Sequence, residues 1–273
     1  MTEPPSTTAA AGEIVLHDYW RSSAAYRLRI ALALKGIGYR RVAVDLVAGA
    51  QRDPRHVTLN PLGRVPVLEI DGLTLTQSLA IIDYLDETRP SPPLLPAEPA
   101  ARAQVRALAL AVACDIHPIS NLSVLTRVEE LAGAEAKARW NHDNIAQGLA
   151  AVERMLDHPG FTGRFCHGDS PTLADCVLVP QLYNATRWGV SLKDLPRIRQ
   201  VQQSCAALAA FRDAAPERVA PVADTAPPRQ ADRRLTSCDL RRISPPSNQL
   251  HLKRFQGNKN RKGQRPALGT EGP

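Results

Sequence analysis

The segment RSSAAYRLRIALALKGI, residues 21–37, decides the fold because it marks the start of a helix directly after a strand. Residues 14–16, Ile-Val-Leu, form the short apolar run typical of a buried strand. From Ser23 onward, alanine and leucine recur at helical spacing, and Gly36 suits the C-terminal end of the helix. Two hydroxyl groups therefore stand where backbone amides have no partner within the helix.

The same strand-and-helix pattern continues as far as residue 89. Further strands are predicted from short runs at residues 42–44, 67–70 and 73–75. Asp71-Gly72 lies between the last two runs and predicts a hairpin turn. Residues 77–85 predict a helix that the hydroxyl of Ser78 could cap. The resulting order is β-α-β followed by β-β-α.

A proline-rich segment separates this part from an alanine- and leucine-rich part that is predicted to be helical throughout. Within the second part, Thr172 and Asp175 have capping-box spacing and open a helix that Pro180 is expected to interrupt. The predicted division is a disordered N-terminus at 1–12, an α/β domain at 13–89, a linker at 90–98, an all-helical domain at 99–216, and a disordered tail at 217–273.

Composition limits the classes of function. Hydrophobic residues make up 44% of the 273-residue chain, which is enough for an ordinary core. No apolar run approaches the ~18 residues that span a bilayer, so no membrane association is expected. The N-terminus lacks the apolar core of a secretory signal. The five cysteines are at positions 114, 166, 176, 205 and 238, and they show neither CxxC nor Cys/His spacing. This pattern predicts reduced thiols, a cytoplasmic protein and no metal site.

The net charge of +7 belongs to the tail. Residues 224–273 hold 11 Lys and Arg against 4 Asp and Glu, so the other residues hold 23 of each sign. The tail shows no sustained period, so no fold is expected for it, and binding of nucleic acid or an anionic surface through its charges is the less favoured alternative to a dispensable tail. A chain that ends at Pro216 is expected to fold and turn over like the full chain.

Three segments of the first part resemble the zeta class of glutathione transferases, which includes maleylacetoacetate isomerase and is related to maleylpyruvate isomerase. They are RSSAAYRLRIALALKGI, NPLGRVPVLEIDG and QSLAIIDYLDETRP. In the second part, NLSVL and DSPTLADCVLVPQLYNATRW resemble the same class, so the resemblance covers residues 13–216. It implies a thioredoxin-like β-α-β-β-β-α domain, an all-helical C-terminal domain, a bound glutathione and a homodimer.

The resemblance gives Ser22 and Ser23 the catalytic role of stabilising the glutathione thiolate. A thiol has a pKa of about 8.5, and the thiolate is the nucleophile. A helix start and a hydroxyl donor both stabilise that anion. On local sequence alone, simple N-capping is an equally good interpretation. The class usually has a cysteine after the paired serines, and Ala24 replaces it here.

The remaining glutathione contacts implied by the resemblance come from three places in the chain. Their positions are Val65 and the cis-proline Pro66, Gln77 and Ser78 at a helix start, and His117 and Asn121, predicted to share a helical face. For the histidine, a purely structural role is the alternative.

Two arginines are candidates for binding a substrate carboxylate, because a guanidinium can bind a carboxylate at two points. Arg187 matches an arginine that the class uses for this purpose, and Arg21 precedes the two serines. The alternative for either residue is an ordinary solvated or ion-paired side chain.

Together these residues predict a glutathione-dependent isomerase that converts maleylacetoacetate to fumarylacetoacetate by reversible thiolate addition. The substrate would be a small dicarboxylate. One alternative is a maleylpyruvate isomerase or a transferase acting on other electrophiles. Another is a non-enzymatic glutathione-binding protein, which Ala24 and the unusual tail favour slightly.

Overall fold

The computed structural model describes residues 12–221. The predicted disorder of the first eleven residues, the tail beyond residue 221 and Cys238 lie outside the described residues. Within residues 12–221 the chain builds a four-stranded sheet with helices, followed by a helical region. This is the predicted fold class, an α/β domain followed by an all-helical one.

The sheet has the strand order β2-β1-β3-β4. Its strands are β1 (Val15–Asp18), β2 (Arg40–Ala43), β3 (Val67–Ile70) and β4 (Leu73–Thr76). β1 runs parallel to β2 and antiparallel to β3, and β3 pairs antiparallel with β4. Asp71 and Gly72 join β3 and β4 with φ angles of 54° and 77°, which is the hairpin turn that their sequence predicts.

Three helices accompany the sheet, one more than the sequence predicted. They are α1 (Ser23–Leu34), α2 (Pro54–Leu59) and α3 (Ser78–Thr88). α2 has only six residues, which is too short for a visible period, and it starts at Pro54 after Asp53 accepts a hydrogen bond from the Arg55 amide at 2.8 Å.

The predicted cap of α3 is wrong. Ser78 is the first helical residue, and Gln77 occupies the N-cap position without a side-chain hydrogen bond. Gln77 has a φ of 68°, a value that residues other than glycine rarely adopt.

The helical region contains α4 (Pro99–Leu110), α5 (Leu122–Met155), α6 (Leu173–Arg187), α7 (Pro196–Ala206), α8 (Ala209–Asp213) and α9 (Pro216–Val219). Two predictions fail here. Residues 156–172 form no helix, although residues 99–216 were predicted to be helical throughout. α6 runs through Pro180 without interruption, whereas the sequence predicted a break there.

α1 links the sheet to the helical region, because it packs against both α3 and α6. Its apolar residues Leu28, Ile30 and Leu32 are fully buried, and each such side chain contributes about 1.5–3 kcal/mol. The Tyr26 hydroxyl donates to the Phe211 carbonyl at 3.1 Å. The position of the N-terminal end of α1 is therefore fixed by both parts of the fold.

Within residues 12–221, no single helix is long and apolar enough to cross a membrane. The pair Pro99–Ser120 and Leu122–Met155, which is bent by 43°, meets that criterion by length and composition when the two are counted together.

Candidate functional site at the N-terminus of helix α1

Ser22 is the N-cap residue of α1. Its backbone is extended, with φ −67° and ψ 120°, and its hydroxyl oxygen accepts a hydrogen bond from the Ala25 amide at 3.2 Å. A hydroxyl has one proton to donate besides the lone pairs that accept, and among residues 12–221 no acceptor takes the proton of Ser22. Ser22 is half-buried, so this donor is within reach of a ligand.

Ser23 lies one residue further on and has different surroundings. It is buried, and its hydroxyl lies 3.5 Å from the Pro180 carbonyl of α6, the outer limit of a hydrogen bond. The Ser23 side chain therefore faces the contact between α1 and α6. The sequence could not decide which serine hydroxyl would meet the thiolate, and the structure favours Ser22.

The charges of Arg21 and Arg187 both influence the pKa of the Tyr183 hydroxyl. Burial raises the pKa of Tyr183, and the neighbouring Glu217 carboxylate raises it further, while the charges of Arg187 and Arg21 lower it. Arg187 is the last residue of α6 and is exposed. Two arginines far apart in sequence therefore lie near the same tyrosine.

Arg21 contacts the loop before α1, and Tyr183 contacts α1 itself. Arg21 donates through Nη2 to the Tyr19 hydroxyl at 2.9 Å, and its guanidinium carbon lies 4.8 Å from the ring centroid of Trp20. The ring of Tyr183 makes a T-shaped contact with Tyr26 of α1, with centroids 6.4 Å apart. Tyr183 therefore brings the end of α6 towards the start of α1.

The Val65–Pro66 peptide bond is cis, as the resemblance implies. Among residues 12–221, neither the amide nor the carbonyl of Val65 takes part in a hydrogen bond. The preceding carbonyl, of Arg64, is held by His56 Nε2 and Asn60 Nδ2, each at 2.9 Å. The main chain at Arg64 is therefore held in place, while the amide and the carbonyl of Val65 remain available to a ligand.

Ser78 is buried at the start of α3, and its hydroxyl accepts a hydrogen bond from Arg27 Nη1 at 3.3 Å. Gln77, directly before it, is exposed. The backbone of Gln77 adopts a strained conformation of a kind that clusters at functional sites. The first turn of α3 also offers backbone amides that an anion can occupy.

His117 and Asn121 do not share a helical face, so that prediction is wrong. A π-helix at Ala111–Ile116 follows α4, a 3₁₀ turn covers His117–Ser120, and Asn121 is extended with ψ 144°. Residues four apart lie on one face only in an α-helix, so the spacing of His117 and Asn121 does not bring their side chains together.

His117 nevertheless lies close enough to Arg27, the hydrogen-bond partner of Ser78, for the charge of Arg27 to act on its ring. Its Nδ1 is buried and has no partner among the described residues. Burial, and to a smaller extent the charges of Arg27 and Arg64, lower the pKa of His117 to about 3. The ring is therefore neutral at physiological pH and offers one donor and one acceptor.

The candidate residues form two groups along α1. Ser22, Arg21 and Arg187 belong to the group at its start, while Ser78 and His117 belong to the group around its second turn. The sequence interpretation missed one residue in each group, Tyr183 and Arg27. Each had a signal: Tyr183 stands four residues before Arg187, and Arg27 stands four before Ala31, on the buried stripe of α1.

Within the described residues, no group of three or more His, Cys, Asp or Glu side chains is arranged to hold a metal ion. Cys114, Cys166, Cys176 and Cys205 are free thiols. Burial raises the pKa of Cys166, Cys176 and Cys205 above that of an ordinary thiol, so these three do not supply a thiolate at neutral pH.

Residues 13–87 match the family described as the glutathione S-transferase N-terminal domain, and residues 132–216 match the glutathione S-transferase C-terminal domain. The chain is 58% identical over 213 residues to the maleylacetoacetate isomerase of Rhizobium meliloti, covering 77% of this chain and 100% of that protein.

Solved structures give the same result. A holo maleylpyruvate isomerase, described as a bacterial glutathione S-transferase of the zeta class, superimposes with a TM-score of 0.74 at 44% identity, covering 77% of this chain and 100% of that one. A maleylacetoacetate isomerase from Anaeromyxobacter dehalogenans, with dicarboxyethyl glutathione and citrate bound in its active site, superimposes with a TM-score of 0.69 at 47% identity, covering 77% and 98%. The chain therefore belongs to the glutathione transferase family, in the zeta class that contains the maleylacetoacetate and maleylpyruvate isomerases.

Proposed function

We propose that this protein is a glutathione-dependent cis–trans isomerase that converts maleylacetoacetate to fumarylacetoacetate. The observation that carries the proposal is the Ser22 hydroxyl, which caps α1 while its own proton is free to be donated to a thiolate. The relatives named for this activity, among them the Rhizobium meliloti enzyme, support the choice of reaction. In this proposal, residues 13–89 form the glutathione-binding domain and residues 99–216 the substrate domain.

The residues present fit glutathione. The free amide and carbonyl of Val65, beside Pro66, suit the peptide backbone of its cysteinyl residue. Gln77, Ser78 and the neutral His117 suit its γ-glutamyl end, where buried polar atoms have no partner within the described chain. Asn121, at the start of α5, is assigned to the same ligand. When bound, glutathione supplies the thiolate that adds reversibly to the cis double bond and lets that bond rotate.

Ser22 stabilises negative charge on sulfur at the start of α1. Because its oxygen already accepts from the Ala25 amide, its proton is the better donor to an anion. The positive end of the helix dipole acts in the same direction. Both effects lower the pKa of a thiol placed there, so a larger fraction is thiolate at neutral pH. Ser23 supports this arrangement from the buried side of the helix.

Arg187 and Arg21 bind the carboxylate groups of the substrate. The charges of both arginines act on Tyr183, and the contact of its ring with Tyr26 of α1 supports a role for them near the helix start that carries Ser22. Orientation of the substrate by a guanidinium lowers the entropic part of the barrier. A dicarboxylate is the substrate class that two such cations select.

Maleylpyruvate isomerase activity is the second candidate, and the superposition with a maleylpyruvate isomerase at a TM-score of 0.74 favours it. The test is to incubate the purified protein with each substrate, with and without glutathione, and to follow the trans product. We expect glutathione-dependent turnover of maleylacetoacetate at the higher catalytic efficiency. Higher efficiency with maleylpyruvate would select the second candidate, and no turnover of either would contradict both.

We further propose that the protein acts as a homodimer in the cytoplasm. Exposed apolar side chains on α4 and α5 support a partner subunit: Leu110, Leu122, Leu131 and Trp140. The free thiols support a reducing compartment. Sedimentation of the purified protein as a 30 kDa monomer at micromolar concentration would contradict the dimer.

A further inference from the structure

Two buried side chains hold one peptide group of the loop before β3. His56 lies in α2, and its Nε2 is 2.9 Å from the Arg64 carbonyl oxygen. Asn60, directly after α2, donates through Nδ2 to the same oxygen, also at 2.9 Å. A carbonyl oxygen only accepts hydrogen bonds and has two lone pairs. His56 therefore carries a proton on Nε2, and the two donors satisfy this carbonyl.

These donors also fix the direction of the next amide in the chain. The Arg64–Val65 peptide bond is trans, in contrast to the bond that follows it. The carbonyl and the N–H of a trans peptide group lie in one plane and point in opposite directions. Holding the Arg64 oxygen towards His56 and Asn60 therefore turns the Val65 N–H away from both, and no acceptor among residues 12–221 takes it.

Further contacts hold the two donors themselves. The ring of His56 lies against that of His17 in β1, with centroids 6.1 Å apart, and His17 Nε2 is 2.7 Å from Glu69 Oε1 in β3. Asn60 Oδ1 accepts from the Leu62 amide at 3.1 Å. Donors that are held in this way keep the peptide group in one orientation before a ligand arrives, which lowers the cost of ordering it on binding.

We propose that His56 is a positioning residue for glutathione, which acts through the Arg64–Val65 peptide group. Together with Asn60 it aims the Val65 amide at the carbonyl of the ligand's cysteinyl residue. The inference rests on the proposed function, in which glutathione binds beside Pro66. It adds a buried side chain of α2, a helix that carries none of the contacts assigned above.

The test measures the binding of three thiols by titration calorimetry. They are glutathione, γ-glutamylcysteinamide, which lacks only the carboxymethyl group of the glycine, and γ-glutamylcysteamine, which also lacks the cysteinyl carbonyl. His56→Leu should weaken binding of the first two by about threefold to tenfold, because their carbonyl depends on the direction of the Val65 amide. It should change binding of the third, already weak, by less than about twofold, since that ligand has no carbonyl to place.

His56→Gln tests the role of the donor. The side-chain amide nitrogen of glutamine stands at the same number of bonds from the main chain as Nε2, so this variant should bind all three thiols within about twofold of the wild type. Binding of glutathione by His56→Gln as weak as that by His56→Leu would contradict donation from this position. Should His56→Leu not fold, His56→Met fills the space with a more adaptable side chain and allows the same comparison.

His158→Leu is the matched control. His158 Nε2 is 3.1 Å from the Cys166 carbonyl, eight residues further along the chain, which is the spacing of His56 and Arg64. This variant loses the same kind of hydrogen bond in the loop before α6 and should bind all three thiols like the wild type. Equal weakening of all three by His56→Leu would mean that His56 only supports the fold, and unchanged binding of glutathione would overturn the proposal.

Steady-state kinetics give an independent readout. His56→Leu should raise KM for glutathione by about the same factor as the binding constant and leave kcat at saturating glutathione within about twofold. A lower kcat with unchanged KM would contradict the assignment. If the wild type neither binds glutathione nor isomerises, the proposed function fails; if it does both and His56→Leu matches it, only this inference fails.

Discussion

At the scale of single residues, Ser22 and Ser23 occupy different surroundings, and this predicts different losses. Ser22→Ala should lower isomerase turnover by roughly tenfold to a hundredfold, because a hydrogen bond to a charged group contributes about 1.5–3 kcal/mol. It should weaken glutathione binding far less. Ser23→Ala should stay close to wild type, since its hydroxyl lies at the outer limit of hydrogen bonding, 3.5 Å from the Pro180 carbonyl. Single-turnover kinetics and glutathione titration of both variants check this.

The opposite result, an inactive Ser23→Ala and a normal Ser22→Ala, would reverse the assignment. Normal activity in both variants would contradict any role for a hydroxyl in stabilising the thiolate.

Arg187 should separate isomerisation from general conjugation. Arg187→Ala should lower catalytic efficiency on maleylacetoacetate by about tenfold and barely change conjugation of a neutral electrophile, because only the acidic substrate loses a charged partner. Arg187→Lys should restore only part of the loss, since an ammonium lacks the planar fork. The ratio of the two efficiencies in each protein is the measurement. An equal fall for both substrates would show that Arg187 supports the fold or the glutathione site.

His117 predicts a specific dependence of stability on pH. Its pKa is about 3 when folded and 6.5 in the unfolded chain, so its neutral form favours the folded state. This contribution is complete above pH 6.5 and is lost as the pH falls from 6.5 towards 3. Between pH 7.5 and pH 5, wild type should lose about 2 kcal/mol more of its free energy of unfolding than His117→Gln does. Urea titrations at both pH values test this, and parallel losses in the two proteins would contradict it.

At the scale of elements, the start of α6 depends on one buried carboxylate. Asp175 accepts from the Thr172 amide at 2.7 Å, the Thr172 hydroxyl at 2.8 Å and the Cys166 amide at 2.8 Å. Asp175→Ala should lower the free energy of unfolding by about 3 kcal/mol, because three buried donors lose their acceptor. Asp169→Ala, at an exposed site in the same loop, should change it by less than about 0.5 kcal/mol. Similar losses in both variants, measured by urea unfolding, would contradict a special role for this cap.

At the scale of the whole molecule, α9 bears on the prediction that the chain can be shortened to Pro216, because this helix runs from Pro216 to Val219. Glu217, in α9, raises the pKa of Tyr183, so a chain ending at residue 216 loses a charge that acts on this tyrosine. A chain ending at residue 221 should match the full chain in turnover and in urea midpoint. A chain ending at residue 216 should fold but turn over more slowly. Equal activity of the two shortened proteins would show that Glu217 contributes nothing to the site.

Local signals in the sequence were sufficient for most elements and for the family. Alternation and turn chemistry predicted the hairpin at Asp71-Gly72, and the Thr172–Asp175 spacing predicted the capping box that opens α6. These features depend on residues within a few positions of each other, so their physics can be read along the chain. The same locality explains the failures, since the six residues of α2 show no period and the π-helix before His117 changes the register without any marker in the sequence.

The sequence by itself determined the fold class, the family and a set of candidate residues from that family. Only the tertiary structure decided which of those side chains are free to meet a ligand and which are buried against other helices. Within residues 12–221 it left the Ser22 proton without an acceptor, turned Ser23 towards α6, and left Arg27 buried without an ion-pair partner. It also placed the charges of Arg187 and Arg21 where both lower the pKa of Tyr183. The physical reason is that burial, hydrogen-bond pairing and charge proximity depend on contacts between distant segments, here α1 with α3 and α6, whose geometry no local pattern specifies.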